Sequence, residues 1–371
     1  MVAHARLSAS GAHRWINCPG SVQAEEGIKD AASPHAEEGT AAHELAELVL
    51  NEGGNCHAWV GRQLVENNAW TVTQEMADYV QQYVDYVAAT PGTQQYEQRV
   101  SYADWVPEGF GTADAISIDP ASKTLYCIDL KYGKGVRVDA DNNPQGMLYG
   151  LGAYNEIEGI YDIERVVIVI VQPRLDHISE WSISVDDLLR WGAWVSERAQ
   201  ETIGPDAKRV PGESQCRFCK AKATCPALYD FTTRIIASDF DNLDSPEHLS
   251  DERMAEVMSA KKLITGWLDA VESHITERLK AGDDFPGYKL VAGRSLRQWA
   301  DEKEAEQALA EQLGDDAYER KLLTPAKAEK ALGKTKAKAI KDLIVKPEGK
   351  PVLAPESDKR KPIGVTADDF D

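Results

Sequence analysis

The chain has 371 residues, 43% of them apolar, and a formal net charge of −20. That length and apolar share predict one large α/β domain with appendages, or two domains, and exclude wholesale disorder. The acidity excludes a general nucleic-acid-coating protein but not a nuclease, because metal ions neutralise an acidic cleft.

The charge is uneven. Between Lys327 and Lys361 eleven Lys or Arg stand against five Asp or Glu, a local net of +6 that leaves −26 on the remainder. No long apolar run and no apolar signal-peptide core occurs, so a soluble, cytoplasmic protein without membrane contact is expected. Six cysteines in a chain of this length do not suggest a disulfide scaffold; clustered cysteines in a reducing compartment are metal ligands more often.

In chain order, residues 1–35 are small, polar and irregular, with a short helix expected from about Ser10 to Asn17 and stopped by Pro19-Gly20. Glu37 to Leu50 reads as a helix closed by Gly53-Gly54. Ala42, Leu45 and Val49 form its apolar stripe, and His43 and Glu47 share a face. Thr73-Gln74-Glu75 opens a second helix, with Met76, Val80, Tyr83, Val84 and Val87 on its apolar side and Pro91-Gly92 as its stop. Gln95 to Ser101 is a predicted strand containing Glu97.

Gly111 to Lys131 reads as a β-hairpin turning at Asp119-Pro120-Ala121-Ser122. Asn143-Pro144 opens a helix with proline at its first position. Arg165 to Gln172 is a continuous apolar run, the mark of a strand buried on both faces, and Ile178 to Val185 is its expected partner. Asp186 to Thr202 completes the series as an amphipathic helix. Helix, helix, three strands, helix, two strands, helix predicts an α/β fold with a mixed central β-sheet flanked by helices.

Gly204 to Ala227 is a loop module with three cysteines, and Ser250 to Lys280 is a long helix. A short hairpin is expected from Phe285 to Trp299, and helices over Asp301–Leu313 and Pro325–Leu343. The implied organisation is a core with a cysteine module over 1–235, a mainly helical region over 236–345 and a flexible tail over 346–371.

The hairpin carries the chemistry. Residues i and i+2 of a strand face one side, so Asp129 and Lys131 project together while Leu130 points away; antiparallel pairing brings Asp114 to the same patch. Two acids and a lysine suit a Mg²⁺ site, in which the ion lowers the pKa of water and stabilises charge on phosphorus while the lysine orients that water. The D-x-K triplet alone is equally a solvated surface pair. His43 would add an imidazole to an oxygen site and so favour Mn²⁺ beside Mg²⁺, or it is a packed helix residue. Tyr132, Gln145 and Tyr149, the last two sharing a helical face, are either DNA-backbone contacts or packing residues.

The cysteines give the sharper signal. Cys216, Cys219 and Cys225 have the spacing C-x₂-C-x₅-C, and Cys18 precedes Pro19 far upstream. Four thiolates can hold an iron–sulfur cluster or a structural zinc; the absence of a second C-x₂-C knuckle favours [4Fe–4S]. Cys56 and Cys127 read as structural.

Taken together, these residues resemble the RecB-like branch of the PD-(D/E)XK nuclease superfamily, and within it the iron–sulfur members such as CRISPR-associated adaptation exonucleases and AddB-type nuclease domains. The match runs from Cys18 through G-x-x-x-H at Gly39 to His43, G-x-x-D ending at Asp114, D-x-K at Asp129 and Lys131, and Q-x-x-x-Y at Gln145 and Tyr149, to Cys225.

The resemblance implies a restriction-endonuclease-like core and a metal-dependent DNA exonuclease. His43, Asp114 and Asp129 would bind Mg²⁺ or Mn²⁺ with the Leu130 backbone carbonyl as a further ligand. Glu97 would stand in a second ring or at a second metal, Lys131 would be the activator, and Gln145 and Tyr149 would support DNA binding. Cys18, Cys216, Cys219 and Cys225 would hold [4Fe–4S]. The family often has Glu where this chain has Asp129.

No Walker-type phosphate loop is present, so a helicase–nuclease fusion is not expected. The resemblance further implies a phage or prophage setting in the bacterial cytoplasm, processing of linear DNA ends in replication or recombination, a single-strand-binding or annealing protein as partner, and a homo-oligomer as assembly. Two other readings stay open: a non-catalytic DNA-end-binding scaffold keeping the fold, against which the intact Asp114, Asp129 and Lys131 argue, and a zinc-stabilised interaction protein.

Overall fold

The computed structural model describes residues 5–28, 34–64, 70–237, 250–291 and 302–313, with isolated positions at 317, 318, 325, 328, 340, 341, 343 and 344. The chain divides into two compact units, Met1–Asp284 and Phe285–Asp371.

The first unit opens with short helices α1 (Ala12–Asn17) and α2 (Ser21–Ala24), followed by α3 (Pro34–Glu52). A two-stranded ribbon of β1 (Gln63–Leu64) and β2 (Trp70–Thr71) leads to α4 (Gln74–Ala89), whose Thr73 side chain accepts from the Met76 N–H as the N-cap. Strands β3 (Thr93–Ser101), β4 (Phe110–Asp119) and β5 (Thr124–Leu130) form an antiparallel meander. Helix α5 (Pro144–Ile157), capped by the Asn143 side chain, crosses over to β6 (Arg165–Gln172), which runs parallel to β5; β7 (His177–Ser184) returns antiparallel. The five-stranded sheet thus has the order β3-β4-β5-β6-β7 with one parallel step, the mixed sheet that the element order predicts.

Two apolar cores lie against this sheet. One contains Ile116, Leu125, Ile168 and Ile170 with residues of α1, α5 and of α6 (Val185–Gln200). The other contains Ile128, Leu130, Val169 and Val171 with α3 and α4. Strand β6 therefore feeds alternate side chains into both, as its unbroken apolar run predicts. Strand β7 alternates half-buried and exposed positions because it is an edge.

Beyond α6 come α7 (Glu213–Arg217), α8 (Pro226–Ala237) and the long α9 (Asp251–Lys280), which packs on α7 and α8. Helix α9 accordingly groups with the core unit, and the expected boundary after residue 235 falls inside α8 rather than between the two compact units. Helix α8 starts at Pro226, a first-turn proline taken at the sequence level only as a neighbour of Cys225.

In the second unit, α10 (Glu302–Leu313) matches the helix expected there, and the Tyr318 hydroxyl donates to Glu306 at 3.0 Å. Residues 285–291 carry no strand, so the first arm of the expected hairpin is not formed; 292–299 lie outside the described residues, as do nearly all of the helix expected over 325–343 and the whole tail. Among the described residues, no helix is long and apolar enough to cross a membrane.

Candidate metal centre and cysteine site

The acidic site lies across three strands. Continuing the ladders by one step sets Glu97 opposite Asp114 and Asp114 opposite Asp129, although neither ladder includes the pair itself. Glu97 breaks the first ladder by adopting φ +47°, in the left-handed region that a non-glycine residue rarely enters. Regular pairing resumes at Gln98 and Ala113, so the kink is confined to the one residue beside Asp114. Helix α3 supplies His43, whose Nδ1 lies 3.3 Å from Asp114 Oδ1, while Asp114 Oδ2 accepts from the Leu130 N–H at 2.7 Å. His43, Glu97 and Asp114 each offer a ligand atom within 4.8 Å of the others, and no other His, Cys, Asp or Glu trio among the described residues does so.

Asp129 is buried behind this trio. Lys131 Nζ stands 2.9 Å from its Oδ1 and 2.8 Å from its Oδ2, and Gln145 Nε2 donates to Oδ1 at 3.0 Å. Lys131 also donates to Gln145 Oε1 at 3.0 Å, so a single amide bridges the acid and the lysine. Tyr149 accepts a longer contact from Gln145 at 3.4 Å, and its ring lies so close to Gly111 that a Cβ there would come within 2.7 Å of it.

Protonation follows from this crowding. Burial disfavours a charged imidazole at His43, but the carboxylates of Asp114 and Asp129 outweigh it and lift the pKa to about 9. Burial and then Asp114 push Glu97 up to about 7. Burial works against ionised Asp114, yet His43, Lys131 and the Leu130 N–H hold it below the usual carboxylate range; Asp129, with burial dominant and Asp114 beside it, is raised. Lys131 is a firmly protonated ammonium, because Asp129 and Asp114 overcome its burial.

The donor set fits a hard divalent ion. Mg²⁺ at about 2.1 Å from each ligand places opposite ligand atoms about 4.2 Å apart, compatible with the His43, Glu97 and Asp114 spacing. Both oxygens of the buried Asp129 lie against the Lys131 ammonium, so this carboxylate is committed first to the lysine. The fully buried Tyr83 hydroxyl is unpartnered, and it is near enough to feel Asp114, Asp129 and Glu97. At the sequence level Tyr83 is one more residue of an apolar stripe; only its hydroxyl distinguished it from Val80 and Val84.

The expected residues are not all placed for contact with a ligand. Leu130, whose carbonyl is the expected ligand, borders the same cavity as His43 and Lys131, gives its N–H to Asp114 and sends its side chain into the core. Tyr132 is buried with Arg174 stacked at 4.8 Å over its ring, and Arg174 pairs with Glu38 at 2.9 Å, which fits the packing side of its two readings. Gln145 spends its amide on Asp129 and Lys131, and Tyr149 is buried against Gly111, so both support the site from within.

The four cysteines come together from opposite ends of the first unit. Cys18, Cys216, Cys219 and Cys225 line one small cavity, and all are free thiols. The Val210 N–H donates to Cys18 Sγ at 3.2 Å and the Gly212 N–H to Cys216 Sγ at 3.5 Å, the kind of backbone support that ligating sulfurs receive. The sulfurs do not gather within 4.8 Å as a trio, whereas a tetrahedral zinc at about 2.3 Å would hold its sulfurs about 3.8 Å apart.

Around them, Gln23 donates to Thr202 O, Arg198 to Ile16 O at 3.0 Å and the Lys220 N–H to Glu25 at 2.7 Å. A Cβ on Gly20 would come within 2.4 Å of the Ala207 carbonyl, so the Pro19-Gly20 pair is a close approach as well as a helix stop.

The fold and site define a mixed α/β protein with a His–carboxylate–lysine centre on its sheet and a four-cysteine site in the same compact unit. The chain belongs to the DUF2800 family, described as "Protein of unknown function (DUF2800)", whose model matches residues 4–361.

Proposed function

We infer that the protein is a Mg²⁺- or Mn²⁺-dependent deoxyribonuclease that hydrolyses phosphodiester bonds at DNA ends. The observation that carries this reading is the convergence of His43, Glu97 and Asp114 within ligand distance of one another, with Lys131 ion-paired to Asp129 beside them. His43, Asp114 and Glu97 would hold the metal, with Asp129 as a further ligand that it would share with Lys131. When bound, the metal supplies Lewis acidity toward the phosphate and lowers the pKa of water.

The residues of the chain do the rest. Asp129 holds Lys131 in place, and Gln145 fixes both by hydrogen bonds to each. Lys131 is charged, so its role is to orient the attacking water and offset charge developing on the phosphate oxygens rather than to act as a free base. The four cysteines fit a [4Fe–4S] cluster that ties Cys18 to the segment from Cys216 to Cys225. Its role in this reading is structural. The setting inferred from the resemblance is end processing during phage replication or recombination.

The test is cleavage of end-labelled linear DNA and closed circular DNA by anaerobically purified protein with Mn²⁺. The linear substrate is expected to be degraded and the circle spared, and Lys131→Ala is expected to abolish cleavage while Mn²⁺ still binds. Undiminished cleavage by Lys131→Ala would remove the catalytic assignment.

A further inference from the structure

Lys131 is followed by a turn whose construction the catalytic reading does not use. Residues Tyr132 to Asn143 link β5 to α5, and Gly133-Lys134-Gly135 forms the start of this link. Its far half is pinned. Gln172, 1% exposed at the end of β6, accepts from the Val138 N–H at 2.7 Å and donates to the Val136 carbonyl at 2.9 Å; Ser179 accepts from the Ala140 N–H at 2.9 Å.

The near half is open. A Cβ on Gly133 or Gly135 would meet no atom within 4 Å, and Lys134 is exposed with no hydrogen bond or ion pair to any described residue. The adjacent Arg137, by contrast, is paired with Asp139 at 3.1 Å. His43, Lys131, Gly133 and Gly135 together border a cavity of about 300 Å³.

A buried glutamine that fixes a turn, two bare glycines and an unpaired ammonium form the arrangement by which backbone and lysine approach phosphate oxygens. At most about 10 Å of extended chain separates Lys134 from Lys131. An unpaired cation here also stands out because the protein carries a formal charge of −20, so at this mouth an anionic strand meets local attraction rather than repulsion.

We propose that Gly133-Lys134-Gly135 is a phosphate-binding turn, in which Lys134 holds a phosphate of the DNA strand neighbouring the one that reacts. This rests on the nuclease reading and names how that site grips its substrate. Lys134 is a binding residue, and it leaves the metal ligands untouched.

The test measures binding of a fluorescent linear DNA by the full chain in chelator, where no cleavage occurs, across a salt series. Lys134→Ala is expected to reduce the salt slope by about 0.9 and weaken binding about eight-fold near 0.1 M salt, the effect of one lost phosphate contact. Lys134→Arg should restore both. Mn²⁺ affinity, followed by the signal of the free ion, should be unchanged in either variant, and because Lys134 is exposed both should melt as the parent does.

If wild-type protein cleaves DNA and Lys134→Ala keeps its affinity and slope, the turn is not a phosphate site although the nuclease reading stands. If Lys134→Ala loses Mn²⁺ affinity with its salt slope intact, the turn serves the metal ligands and the proposal falls. If the wild type neither binds nor cleaves linear DNA, the nuclease reading fails and takes this inference with it.

Discussion

His43 and Glu97 make the metal-free site a store of protons. Both have folded pKa values above their ordinary ones, about 9 against 6.5 for His43 and about 7 against 4.5 for Glu97. Over those ranges the folded protein holds protons that the unfolded chain has released, so stability falls as pH rises, first between about 4.5 and 7 and then between about 6.5 and 9. A divalent cation replaces those protons, and its affinity should therefore climb over the same interval. Thermal melts in chelator are expected to lose midpoint steadily up to about pH 9, and melts with saturating Mn²⁺ to lose much less.

Gln145 yields a second residue-scale expectation. Its amide joins Asp129 to Lys131, and hydrogen bonds to charged groups contribute about 1.5–3 kcal/mol each. Gln145→Ala should therefore lower kcat by about ten- to a hundred-fold with little change in DNA affinity, whereas loss of a DNA contact would weaken binding first.

At the scale of elements, the hairpin was legible because alternation and turn chemistry are local. Asp114, Asp129 and Lys131 follow from i, i+2 and antiparallel pairing alone, and the structure brings them together as those rules require. What was hidden is what depends on neighbours distant in sequence. Tyr132 was exposed to no local signal that Arg174 would stack on it, and two-residue strands such as β1 and β2 have no periodicity to detect.

Glu97 shows the limit best, since nothing in Gln95 to Ser101 marks a kink. Its φ of +47° stores backbone strain on the order of 1–3 kcal/mol, and its carboxyl is crowded by Asp114. Glu97→Gly should relieve both and stabilise the metal-free protein by about 1 kcal/mol, at the expense of Mn²⁺ affinity. Denaturant titrations in chelator and Mn²⁺ titrations read the two effects separately; a variant less stable without metal would show that the kink is not strained.

Across the whole molecule, the N-terminal segment meets the residues after α6 by two independent means. One is the direct stitching of Arg198 to Ile16 O, the Lys220 N–H to Glu25 and Gln23 to Thr202 O. The other is the cysteine site, in which burial raises the thiols of Cys18 and Cys216 and lifts Cys219 to about 12. Neutral thiols can stay buried without metal, so an unloaded site need not hold Cys18, Cys216 and Cys219 as buried charges.

The sheet and its two cores involve none of these four cysteines, which separates the two sources of stability. Cys219→Ser should thus remove iron and brown colour and lower the first melting transition, since metal binding contributes to folding directly. It should leave the sheet's amides protected from hydrogen exchange while residues 204–225 become protease-sensitive. Collapse of the whole sheet in Cys219→Ser would mean that the hydrogen bonds to Ile16, Glu25 and Thr202 cannot hold the two segments together unaided. A colourless anaerobic wild type containing zinc would instead require the sulfurs to close to about 3.8 Å, a contraction of the cavity that the Val210 and Gly212 donors would have to follow.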